Sequence, residues 1–94
     1  MNARDLTLNI AVNLGRLGRW TADGKTARVP AFLAETERYL TELSAVEKSP
    51  RFEKTFTVFK ADFQDLKNNS NYDGNWAEKA LTWANILQHR AKLA

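Results

Sequence analysis

The 94-residue chain contains no cysteine, one histidine and no long apolar run. Lacking cysteine, it has neither a disulfide framework nor a thiolate metal site, so packing alone must stabilise the fold, and a reducing compartment suits it. No stretch approaches the roughly 18 to 20 apolar residues of a transmembrane helix, which speaks against a membrane partner. The first residues, Met1 to Asp5, lead into a segment broken by Asn9, Asn13 and Arg16, without the apolar block of a signal peptide. A cytoplasmic protein is expected. Nothing alternates with the two-residue period of a strand.

What is present is an ordinary globular mixture, 44% hydrophobic and 27% charged, which is too apolar for a disordered chain. The length fits a single helical domain over residues 1–94. Ten aromatic rings let so short a chain bury much apolar area per residue. The net charge of +3 is uneven, with positive surpluses in residues 1–28 and 75–94 and a negative one in 29–50. A surplus this small attracts acidic partners only weakly.

Four segments carry apolar residues at helical spacing. The first is Ala3, Leu6, Ile10, Leu14, Leu17 and Trp20, ended by the Asp23-Gly24 turn. The second starts at Pro30, with Phe32, Leu33, Thr36, Tyr39, Leu40, Leu43 and Val46 on its stripe. Ser49-Pro50 opens the third, whose Phe52, Phe56, Phe59, Phe63 and Leu66 repeat at 4, 3, 4, 3, the seam spacing of a bundle. Burying the four phenylalanines contributes roughly 6 to 12 kcal/mol, comparable with a small domain's net stability. Turn formers fill residues 68–75, after which Asn75 and Glu78 resemble a capping box for a fourth helix bearing Trp76, Ala80, Trp83, Ala84, Leu87 and Ala91. The expected fold is all-α, an antiparallel up-down-up-down four-helix bundle; three helices with a disordered end is the alternative.

Surplus apolar residues mark a candidate interface. Leu8, Val12 and Gly15 lie away from the first stripe, and Ile86 and Leu93 lie off the fourth. Since the first and last helices of such a bundle are neighbours, the two patches are expected to merge into a face for a protein partner, most simply a homodimer. The competing expectation is that the first helix is buried on more than one side.

Motifs for chemistry are weak. Gly24-Lys25-Thr26 resembles the end of a phosphate-binding loop, but Gly18 to Gly24 has five intervening residues where four are needed. Asn69, Asn71, Asp73 and Gly74 imitate a calcium loop whose twelfth position is Ala80 instead of Glu. His89 has no catalytic companion and suits the helix dipole, while Asp62 and Asp65 lack a Glu-x-x-His signature. Neither a catalytic residue, a metal ligand nor a cofactor is assigned, and the protein is expected not to be an enzyme. Arg16, Arg19, Lys25 and Arg28 around Trp20 form the alternative, a modest nucleic-acid patch, against which stands the expectation that Trp20 is buried in the core.

Overall fold

The computed structural model describes residues 1–94, which form four helices and no strand. Helix α1 spans Ala3–Ala22, α2 Val29–Ala45, α3 Pro50–Asn68 and α4 Gly74–Arg90, with a 3-10 turn at Ala91–Leu93. The connections, 23–28, 46–49 and 69–73, are too short to cross the bundle, so successive helices run antiparallel. The result is an all-α up-down-up-down bundle of 37 × 19 × 19 Å in which α1 packs against both α2 and α4.

Side-chain caps set most helix starts. Asn2 Oδ1 accepts the Asp5 N–H at 2.8 Å, and Ser49 Oγ accepts the Arg51 N–H at 3.3 Å with Pro50 in the first helical position. At α4 the cap is Asp73 rather than Asn75: its Oδ1 accepts the Trp76 N–H at 2.9 Å, and the helix begins at Gly74. A carboxylate is favoured over an amide at this positive helix end. Trp76 further fixes the frame, because its Nε1 donates to the Leu66 carbonyl of α3 at 3.0 Å and Tyr72 stands edge-on to its ring at 5.1 Å.

The core draws on all four helices. All five residues of the α3 stripe are buried, and Phe59 lies 5.8 Å from Phe63 and 5.2 Å from Trp83, ring centre to ring centre. Val29 and Ala77, which the stripes omit, are buried as well. Trp20 departs from expectation: it is half-buried and stands outside the core, edge-on to Phe32 of α2 at 4.8 Å. Each three-residue step turns the stripe back by about 60° and each four-residue step forward by about 40°. The α3 stripe alternates the two and stays on course, whereas the successive threes from Leu14 to Leu17 to Trp20 carry the last residue about 120° round the helix.

On the opposite flank, α1 and α4 approach closely. A Cβ at Gly18 would stand 2.5 Å from Leu81 Cγ and 3.0 Å from the Ala77 carbonyl oxygen, so only glycine fits. The buried threonines Thr7 and Thr36 satisfy their hydroxyls on the carbonyls of Ala3 and Phe32, each at 2.7 Å. Thr21 Oγ1 is the one buried side-chain polar atom without a partner.

Candidate interaction face

Small residues let α1 and α4 meet closely, and they leave a shallow groove along the outer side of the seam. Leu8, Ala11, Val12 and Gly15 line it from α1, and Ala84 and Gln88 from α4, around a volume of about 280 Å³. Val12 is 50% exposed and Leu8 half-buried, whereas Gly15 is covered by the Arg19 guanidinium, whose Nη1 would be 3.1 Å from a Cβ at that position. Leu81, 37% exposed, lies over Gly18, outside this groove. Helix α1 is also buried broadly, with Thr7, Ala11, Gly15 and Gly18 buried beside its core stripe. The surplus on α1 is thus in part packing and in part open surface.

The other two expected residues do not join this groove. Ile86 is half-buried on the flank of α4 that faces α3, where it shares a depression of about 380 Å³ with Val58, Thr55 and Arg90. Leu93 belongs to the 3-10 turn and packs partly on the core. From α4 the groove takes Ala84 and Gln88 instead. Ile86 and Ala84 are two residues apart, about 200° round a helix, and Ile86 reaches the α1 side only across a separate wide hollow of about 570 Å³ that it lines with Leu81, Thr82 and Ala22. The small residues Ala77, Ala80 and Ala84, three and four apart beside Gly15 and Gly18, were the available signal for this seam.

The four cations of the alternative site divide. Arg16 and Arg28 converge on the aromatic pair, with the Arg16 guanidinium carbon 5.9 Å from the Phe32 ring centre and that of Arg28 6.0 Å from Trp20. Lys25 is exposed beyond the end of α1, its backbone N–H bonded to the Trp20 carbonyl at 2.7 Å. Arg19 lies in the α1–α4 groove, on another side of the helix. None of the four forms an ion pair, in contrast to Arg38 with Glu35, Lys67 with Glu37 and Lys79 with Asp65.

The remaining chemistry-bearing residues serve structure. Asn69 Oδ1 accepts the Asn71 N–H at 3.0 Å while Asp73 caps α4, so the residues resembling a calcium loop are engaged in turn and cap. Asp62 Oδ2 accepts the Trp83 indole N–H at 2.9 Å. His89 is exposed near the end of α4, and no three His, Asp or Glu side chains cluster as a metal site. Comparison with protein-family models, curated proteins and solved structures finds no match to this chain.

Proposed function

We propose that this protein is a non-enzymatic helical association module that binds a second copy of itself through the outer α1–α4 seam. The observation that carries the reading is the outer α1–α4 groove, where Leu8, Ala11, Val12 and Ala84 of two adjoining helices open to solvent together, with Val12 half exposed. One long side of the molecule, 37 × 19 Å, is of the size needed for a standard interface of about 800 Å² per partner. A cysteine-free chain suits the reducing cytoplasm. Sedimentation equilibrium tests the reading: the parent chain sediments as a dimer, and Val12→Lys as a folded monomer. A parent chain that stays monomeric up to millimolar concentration contradicts it.

A second reading draws on the exposure of Trp20. A half-open indole flanked by Arg16 and Arg28, with Lys25 nearby, offers one stacking surface and three phosphate contacts for single-stranded nucleic acid. Fluorescence anisotropy of a labelled oligonucleotide decides it. Binding that weakens with salt and is lost in Arg16→Ala/Arg28→Ala supports this reading; equal loss in Arg51→Ala/Lys54→Ala, at the opposite end of the bundle, counts against it.

A further inference from the structure

The open face of α1 has a register of its own. Asp5, Leu8, Val12, Gly15, Arg19 and Ala22 follow one another at steps of 3, 4, 3, 4 and 3, the spacing of a helix–helix seam. Asp5 and Arg19 stand seven residues to either side of Val12, about 10.5 Å along the axis in each direction. Both are exposed, and neither has an ion-pair partner within the chain.

From this arrangement we infer that two copies pair with their α1 helices antiparallel about a two-fold axis near Val12, each Asp5 carboxylate meeting the Arg19 guanidinium of the other copy. The inference rests on the outer α1–α4 seam being the associating face. A two-fold axis makes every contact occur twice, so one Asp5 and one Arg19 per chain supply two ion pairs, one on each side of the paired valines. Parallel pairing would set Asp5 against Asp5 and Arg19 against Arg19, so the charges select direction as well as partner. Shape agrees with charge. Leu8 lies about 6 Å from Val12 on one side and Gly15 about 4.5 Å on the other, so antiparallel pairing brings each leucine to the turn where the opposing helix has no side chain. In the single chain that space is covered by Arg19 folded back over Gly15. Turning Arg19 outward to a carboxylate therefore forms the ion pair and clears the hole for leucine in one movement.

Charge exchange tests the register. Sedimentation equilibrium at low salt is expected to show the dimer Kd raised at least about tenfold in Asp5→Arg and in Arg19→Asp, and restored to within about threefold of the parent in the double variant. Circular dichroism checks that each stays folded. Should charge reversal at the helix ends lower stability, the neutral pair Asp5→Asn and Arg19→Gln gives the same cycle, with the double variant no weaker than the weaker single one. A dimer indifferent to these substitutions but broken by Val12→Lys overturns the antiparallel register and leaves the face standing. A dimer untouched by Val12→Lys, or a parent chain that is monomeric, overturns both.

Discussion

Two glycines three residues apart in α1 have opposite consequences. At Gly18 an added methyl would meet Leu81 and the Ala77 backbone, so Gly18→Ala must push α4 away; a loss of about 1 to 3 kcal/mol in denaturant unfolding is expected, part of it recovered with Leu81→Ala. At Gly15 the three atoms nearest an added methyl all belong to the far end of the flexible Arg19 side chain, which can give way, and the fold of the single chain should tolerate alanine. Thr21 offers a gain. Its buried hydroxyl lacks a partner, so the near-isosteric Thr21→Val should stabilise by about 1 kcal/mol, a rise of roughly 4 to 8 °C in melting temperature for a chain of this size. In α3, Phe59→Ala removes a ring touching both Phe63 and Trp83 and should cost about 3 to 5 kcal/mol, read as loss of a cooperative melting transition. The alternating steps of the phenylalanine stripe made this residue legible in the sequence; Trp20 was misplaced because its spacing is helical while its accumulated angle is not inward.

Element by element, the turns carry more of the specification than the stripes suggest. Asp73 and Asn75 both have cap chemistry and both precede an amphipathic run, so the sequence alone permits two frames for α4. The structure selects the earlier one, and the Trp76 bond to the Leu66 carbonyl ties that frame to the end of α3, a long-range contact that no local pattern displays. Asp73→Ala should therefore cost about 1 kcal/mol in equilibrium unfolding while Asn75→Ala changes stability by less than about 0.5 kcal/mol. The reverse order would restore the later cap. Ser49 and Pro50 presented no such ambiguity, since serine as cap and proline in the first helical position point to one start.

For the whole molecule, four segments, short turns and apolar stripes led to the bundle directly, because helix period and connection length together leave few other arrangements. The candidate face was half legible. Leu8, Val12 and Gly15 lie in one groove as their shared spacing implied, but which flank of α4 closes that groove depends on the rotation of α4 about its own axis, which places Ala84 and Gln88 there and sets Ile86 beside Val58 of α3. The absence of cysteine permits a direct test of the face. Val12→Cys and Val58→Cys each introduce a single thiol at matched exposure, 50% and 49%, on α1 and α3 respectively. A disulfide needs the two Cβ atoms about 4 Å apart, a condition met between copies only beside a two-fold axis. Under mild oxidation, Val12→Cys should convert to a covalent dimer and Val58→Cys should remain free of a disulfide between copies; equal cross-linking of the two, or faster cross-linking through position 58, would contradict the α1-centred assembly.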